Sequence, residues 1–359
     1  MGRALTGAMY SEAAVAEYVE TFLRKHGIDV QVSAYAPGRP NVLGFVDVGA
    51  PHTIMLEAHL DTVHAEGMTV NPFGADIVGD DLFGRGSCDT KGSLAAFLSA
   101  IREVLRGRGD VRHNIVIAAV ADEEYQFSGA RHALAAGLRA DCGISGEPTN
   151  LKIVRAHKGV VRWFHRTAGK AAHAAYPDRG ENAIYRMAPL LLRLEQHARA
   201  LLAQPPHMLL GTPSLSVGRI EGGQAVNIVP DQCRIEVDRR TLPGELPEDA
   251  MRAVRELLAD LPHWEMSEPH VAAKGMEVPE AAPIVRNLAR AIQAVSGNAV
   301  VEGASYATDA GIYTSAGIPT VIFGPGDIAD AHTAKEHISI TELLKAEEII
   351  KRLLSSDFT

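Results

Sequence analysis

Histidines and carboxylates stand at the ends of short apolar runs in this 359-residue sequence. His59 and Asp61 follow one run, Glu123 and Glu124 follow a second, and Glu147 follows a third. Imidazole and carboxylate groups are common protein ligands of zinc at catalytic sites, and a nearby glutamate can take a proton from water. The residue types and their positions therefore indicate a hydrolase that uses metal ions.

The segment His59-Leu60-Asp61 places two polar side chains two residues apart at the end of a predicted strand. Because strand side chains alternate between faces, both point to the same side, and Asp61 can orient a metal-bound His59 through its second ring nitrogen. A plain surface pair would give the same pattern, so this segment by itself decides nothing.

Four further segments carry possible ligands. Gly84–Gly92 holds Asp89 in a glycine-rich turn before a predicted helix, where the residue could instead cap the helix. Three acids at 122–124 follow a buried strand, which is unfavourable unless a cation compensates, although a solvated turn would also hold them. Glu147 precedes a proline, and His332 follows a Gly-Pro-Gly turn. Together the five segments fit a site for two metals.

The apolar runs alternate with helix-like segments, which predicts an α/β domain whose sheet is covered on both faces. The runs are Thr53–Leu56, Ile115–Val120, Cys142–Ser145 and Pro319–Phe323, and the helical segments are Ser11–Lys25, Gly92–Leu105 and Ser128–Leu138. Sites in such open sheets form at the carboxyl ends of the strands. We therefore expect the polar ends of the four runs to meet at one place.

From about Gly159 to Ala272 the predicted order changes to strand, helix, strand, strand, helix and a weaker last strand. This is the split βαβ order of a ferredoxin-like domain. Because the run leading to His332 lies beyond it, we expect the small domain to be inserted into a catalytic domain with a mixed sheet. The expected boundaries are 1–158 and 273–359 for the catalytic domain and 159–272 for the insertion.

Composition narrows the class of protein. A formal charge of −9 and the lack of a basic run interleaved with aromatics argue against a nucleic-acid surface. Cys88, Cys142 and Cys233 are far apart, which indicates neither a disulfide framework nor a thiolate zinc site. Met1–Tyr10 shows no leader pattern, and no stretch approaches bilayer-spanning length, so we expect a cytoplasmic protein that does not bind membranes.

Together these segments resemble the dinuclear metallohydrolases that include acetylornithine deacetylase, succinyl-diaminopimelate desuccinylase, aminoacylase and glutamate carboxypeptidase. The resemblance covers nearly the whole chain, and its most specific stretches are GRGSCDTKG, ADEE, SGEPTNLKIVRAHKG, QAVNIVPD, VDRRTLPG, ASYATDAG and FGPGDIADAHTAKEH. It implies a catalytic domain with an inserted ferredoxin-like domain that serves as a lid and dimerises. Lys335 departs from the pattern, since many relatives have an acid after the last histidine.

The resemblance also implies a dinuclear metal site, with zinc as the first choice and cobalt or manganese as alternatives. The implied ligands are Asp89 as the bridge, His59 and Glu147 for one metal, and Glu124 and His332 for the other. Glu123 would be the general base on a water that bridges the metals, and Asp61 would orient His59. The peptide bond between Asp89 and Thr90 would be cis, as it often is in relatives.

Three residues of the insertion have implied roles toward the substrate. His173 would reach the partner subunit's site in a homodimer and stabilise the oxyanion, although a histidine in an alanine-rich stretch is otherwise more often structural. Asn227 and Arg240 would hold the substrate's carbonyl and carboxylate. Arg239 lies beside Arg240, and strand alternation sends the two to opposite faces, so only one can serve.

The implied activity is removal of the acyl group from an N-acyl amino acid, as in amino-acid biosynthesis. The segments around Glu147 and Arg155–Gly159 most resemble the acetylornithine deacetylase branch. Desuccinylation or cleavage of dipeptides or C-terminal residues would use the same machinery. A catalytically silent binding protein is disfavoured because every expected ligand is present. A one-domain aminopeptidase is disfavoured by the inserted segment and by Arg240.

Overall fold

The structure, a computed structural model, describes residues 11–107 and 111–358, which form two compact units. The first takes in the described residues up to Ala156 together with 277–303 and 308–358. The second comprises His157–Met276 and Ala304–Ala307, so it begins and ends a few residues outside the expected insertion and gains a short distant segment. Residues 1–10, where the sequence shows no leader pattern, lie outside the described residues.

The elements are given in chain order. The helices are α1 (Ala13–Lys25), α2 (Gly92–Arg106), α3 (Ser128–Ala135), α4 (Ala183–Leu202), α5 (Pro247–Leu257), α6 (Pro283–Ser296), α7 (Ala310–Ser315) and α8 (Ile340–Leu354). The strands are β1 (Asp29–Ala36), β2 (Arg39–Val46), β3 (Thr53–His59), β4 (Asp76–Val78), β5 (Asp81–Phe83), β6 (Asn114–Val120), β7 (Cys142–Ser145), β8 (Ile153–His157), β9 (Gly159–Ala168), β10 (Ala172–His173), β11 (Ser214–Gly222), β12 (Ile228–Val229), β13 (Gln232–Thr241), β14 (Trp264–Met266), β15 (Val271–Ala273), β16 (Met276–Glu277), β17 (Val301–Ala304), β18 (Thr320–Ile322) and β19 (His337–Ser339). No helix in the described ranges is both long and apolar enough to cross a membrane.

The first unit is built on a nine-stranded mixed sheet in the order β1-β2-β6-β3-β7-β18-β8-β16, with β17 paired to β8. Its centre consists of β6, β3, β7 and β18, and each neighbouring pair among them is parallel. These strands are the four apolar runs found in the sequence. Their carboxyl ends lie at the same edge of the sheet, which confirms the expectation that their polar ends meet there.

The central strands are buried almost throughout their length. Strands covered on both faces have continuous apolar runs, which is why these four were recognisable without alternation. The flanking helices lie close to their predicted positions, although α1 begins at Ala13 and α3 ends at Ala135. Helix α8 begins after Ser339, whose hydroxyl accepts a hydrogen bond from the Glu342 amide at 3.1 Å and caps the helix.

The second unit has a five-stranded antiparallel sheet in the order β11-β13-β9-β14, with β15 also paired to β9. If β9, β11, β13 and β14 are numbered 1 to 4 in chain order, their order across the sheet is 2-3-1-4. Helices α4 and α5 follow strands 1 and 3 in the chain. This confirms the ferredoxin-like order. Where the sequence predicted one weak last strand, the structure has two short strands, β14 and β15. The core between sheet and helices includes Trp163, Met187, Leu190 and Ile235.

Candidate metal centre

His59 is the last residue of β3 and is 1% exposed. Its Nδ1 lies 3.1 Å from the backbone oxygen of Asp61 and 3.5 Å from the Asp61 carboxylate. Because a carbonyl oxygen can only accept, Nδ1 donates to it, and Nε2 is the nitrogen left for a metal in the neutral ring. Nε2 lies 2.9 Å from Asp89 Oδ1 and 3.8 Å from Glu147 Oε1.

Asp89 lies in the irregular turn Ser87–Lys91 that precedes α2, and the Asp89-Thr90 peptide bond is cis, as the resemblance implied. Its Oδ1 faces His59, and its Oδ2 lies 3.0 Å from His332 Nε2. One carboxylate therefore presents a separate oxygen to each imidazole, which is the arrangement that a bridging ligand requires. The Thr90 hydroxyl donates to the Gly146 carbonyl and ties this turn to the Glu147 loop.

The remaining acids follow β6 and β7 at the same sheet edge. Glu124 Oε1 lies 3.0 Å from His332 Nε2. Possible ligand atoms of His59, Glu123 and Glu147 lie within 4.8 Å of one another, as do those of His59, Asp89 and Glu124. The residues named from sequence thus form one cluster. Its closest groupings differ from the implied assignment, because Glu123 lies as near to His59 as a ligand would.

Asp61 has a second set of contacts that the sequence pattern did not indicate. Its two carboxylate oxygens accept hydrogen bonds from the backbone amides of Glu123 (3.2 Å) and Glu124 (3.1 Å). The turn that carries both glutamates begins at Asp122, which has a left-handed φ of 69°. One side chain therefore orients an imidazole and holds the backbone of two acids.

Electrostatic repulsion within the cluster is strong. Burial raises the pKa of Glu123 well above its usual range, and the charge of Glu147 raises it further. Burial also raises the pKa of Glu147, with Asp89 as the next contributor. Burial alone would lower the pKa of His59, but hydrogen bonds with Asp61 and Asp89 raise it well above its usual value. Buried carboxylates crowded in this way fit divalent cations as their counter-charge.

A buried pair of acids near the cluster was missed from the sequence. Glu57, two residues before His59, is 1% exposed and accepts a hydrogen bond from Ser145 Oγ at 2.5 Å. The negative charge of the fully buried Asp309 also acts on Glu57, and that of Glu57 acts on Asp309. Burial raises the pKa of Glu57 to about 7 and that of Asp309 well above its usual value. The available signal was an acid inside the apolar run of β3.

In the second unit, strand pairing brings the backbones of the predicted catalytic residue His173 and the predicted substrate-binding residue Asn227 close together. His173 lies on β10, which pairs with β12, and Asn227 directly precedes β12. The amide of Ala174 donates to the Asn227 carbonyl at 3.0 Å. The His173 side chain is exposed, and its Nδ1 accepts a hydrogen bond from the Ala175 amide at 3.1 Å.

The two arginines of β13 differ in their surroundings. Arg239 is 2% exposed and forms an ion pair with Glu245 at 2.5 Å. Arg240 is partly exposed and pairs with Asp238 at 2.7 Å. Both arginines have an acidic partner, but Arg239 is enclosed while Arg240 is open to solvent, so Arg240 is the better placed of the two to bind an anion.

Comparisons with known sequences give relatives along most of the chain. An acetylornithine deacetylase from Myxococcus xanthus is 37% identical over 287 residues, which cover 76% of this chain and 72% of that protein. An acetylornithine deacetylase from Klebsiella pneumoniae (strain 342) is 32% identical over 346 residues, which cover 93% and 88% of the two chains.

Solved structures share the fold. An M20 family metallo-carboxypeptidase from Sulfolobus solfataricus has a TM-score of 0.81 at 19% identity, covering 95% of this chain and 93% of that one. A dinuclear metal-binding M20 peptidase from Bacillus subtilis has a TM-score of 0.70 at 16% identity, covering 96% and 92%. The family model described as Peptidase family M20/M25/M40 matches residues 55–356, a range that includes the whole cluster. This chain is therefore a member of peptidase family M20/M25/M40.

Proposed function

We propose that this protein is a metal-dependent amidohydrolase that removes the acyl group from an N-acyl amino acid, as the names of its acetylornithine deacetylase relatives suggest. The observation that carries the proposal is the Asp89 carboxylate, whose two oxygens lie 2.9 Å and 3.0 Å from the Nε2 atoms of His59 and His332. Such a bridge beside a partly buried glutamate, Glu123, is suited to hydrolysis assisted by two metals.

The donor set fits two divalent cations. The proposed ligands are Asp89 for both metals, His59 and Glu147 for one, and Glu124 and His332 for the other. Mixed imidazole and carboxylate ligands favour zinc, and cobalt or manganese would accept the same set. Bound metals would polarise the substrate carbonyl and make water a better nucleophile.

Glu123 is the proposed general base. Its carboxylate takes a proton from the attacking water and returns it to the amine nitrogen as the amide C–N bond breaks, while the remaining hydroxyl stays on the acyl carbon. Asp61 holds the backbone of this residue in place by accepting a hydrogen bond from the Glu123 amide. In the second unit, His173 and Asn227 would bind the carbonyl oxygen, and Arg240 would bind the substrate carboxylate with its planar guanidinium.

A substrate panel tests the proposed activity. We expect metal-free protein given zinc, cobalt or manganese separately to release amine from N-acetyl-ornithine faster than from N-succinyl-diaminopimelate or dipeptides. Chelation should abolish the rate. Faster cleavage of dipeptides would assign the protein a peptidase role instead. A protein that holds no tightly bound divalent metal and hydrolyses nothing in the panel would be a silent binding protein.

We further propose that the protein acts as a homodimer in which His173 serves the partner subunit's site. Strand β11 lies at an edge of the second unit's sheet, with Ile220 54% exposed. Helix α4 of the same unit exposes Tyr185 and Leu192. An open strand edge with apolar side chains nearby is suited to self-association.

Mixing two inactive variants tests this sharing. Glu123→Ala and His173→Ala should each be nearly inactive, but co-expressed chains should recover about one quarter of wild-type activity, since half the dimers are mixed and hold one complete site. Steady-state rates and sedimentation measure the outcome. Mixed dimers without activity would show that His173 does not act in the partner's site.

A further inference from the structure

The turn that carries Asp89 directs three backbone amides to a single oxygen. The N–H groups of Gly86, Cys88 and Asp89 donate to Oε1 of Glu336 at 2.9, 3.1 and 3.1 Å. Converging amides of this kind form a concavity that binds anions. Here the anion is the chain's own glutamate, and its side chain is fully buried.

The other carboxylate oxygen of Glu336 forms an ion pair with Arg85, whose side chain is itself 5% exposed. Arg85 also donates to the carbonyl oxygens of His64 at 3.1 Å and Thr333 at 3.3 Å. Thr333 directly follows His332. The Glu336–Arg85 pair therefore connects the turn of one proposed ligand, Asp89, to the segment of another.

Strand pairing places Glu336 above this turn. Strand β19 runs antiparallel to β5 with His337 opposite Phe83, and the Gly84 amide donates to the Glu336 carbonyl at 3.1 Å. The turn then needs a glycine at position 86, which has a left-handed φ of 81°. A Cβ there would lie 2.7 Å from Thr62 Cγ2, so the close approach also excludes a side chain.

We propose that Glu336 is a positioning residue of the metal centre. Its carboxylate sets the backbone of the Asp89 turn, and through Arg85 it fixes the start of the segment after His332. Partners of ligands commonly change metal affinity by about 10–100-fold when they are removed. This inference rests on the proposed function, because it assigns Glu336 an effect on metals that the cluster would bind.

Glu336→Gln tests the inference with cobalt as the probe. Glutamine keeps the size of the side chain but replaces one acceptor oxygen with a donor, which must then face the three amides or Arg85. We expect cobalt affinity, measured against a competing chelator, to fall about 10–100-fold. The visible spectrum of bound cobalt should change, since it reports ligand geometry. With saturating metal, kcat should fall more than KM rises.

Glu347→Gln is the matched control, because Glu347 lies in the same unit and accepts a hydrogen bond from Ser99 Oγ at 2.9 Å. It should keep wild-type cobalt affinity and spectrum. If Glu336→Gln fails to fold, Arg85→Gln replaces it and should shift affinity in the same direction. A folded variant with unchanged affinity and spectrum would overturn this inference alone. Wild-type protein that binds no cobalt would overturn the proposed function as well.

Discussion

Replacing Glu123 with glutamine is expected to lower kcat by about 10² to 10⁴-fold while the protein keeps its metals. Glutamine has nearly the same size, so the partly buried position should stay packed, but its amide cannot take a proton from water. Steady-state kinetics with N-acetyl-ornithine measure the rate, and elemental analysis measures the bound metal. A variant with near-normal kcat would show that Glu123 is not the base.

The neighbouring Glu124→Gln variant is the matched control for Glu123→Gln. Glu124 is the proposed ligand, so this variant should lose metal affinity first and regain part of its activity when metal is added in excess. The spacing of the side chains allows the opposite assignment, because ligand atoms of His59, Glu123 and Glu147 lie within 4.8 Å of one another. If Glu123→Gln lost its metal and Glu124→Gln retained it, Glu123 would be the metal ligand and Glu124 the general base.

Replacing Asp89 with asparagine is expected to weaken binding of both metals and to abolish measurable activity. The carboxylate contacts both imidazoles with separate oxygens, so this side chain is placed to serve two cations. Removing one partner from a buried charged group costs about 3 kcal/mol or more, which corresponds to about 100-fold or more in affinity. Calorimetric titration of metal-free protein with zinc would measure this loss.

The exposed Asp76 of β4 offers a control for Asp89→Asn, because Asp76→Asn makes the same chemical change away from the cluster. It should bind zinc like the wild type. Circular dichroism should show that both variants are folded. If Asp89→Asn still bound two zinc ions tightly, Asp89 would not be the bridge, and the two-metal assignment would need different ligands.

Most of the architecture was predictable because its signals are local. Central strands buried on both faces appear as continuous apolar runs, and helices appear as apolar residues at helical spacing. Parallel neighbours end at the same sheet edge, so polar residues at their ends converge whatever their distance along the chain. For that reason the sequence pattern alone groups His59, Glu123 and Glu147.

The support around the cluster was not predictable in the same way. Glu336 binds amides about 250 positions earlier in the chain, and only the pairing of β19 with β5 brings them together. The sequence drew attention to Lys335 as a missing acid, yet Lys335 is exposed and the buried acid of this segment is its neighbour. Whether a charge is solvated or enclosed depends on the packing of distant segments.

The features of the candidate metal centre have two different origins. The sequence by itself determined the donor types, their places at strand ends and the family they resemble, because these follow from local pattern and strand direction. Only the tertiary structure decided that Asp89 faces two imidazoles and that Asp61 also holds the Glu123 turn. It also decided that Glu336 accepts hydrogen bonds from three backbone amides of the Asp89 turn. Those contacts join segments far apart in the chain, and no local pattern records them.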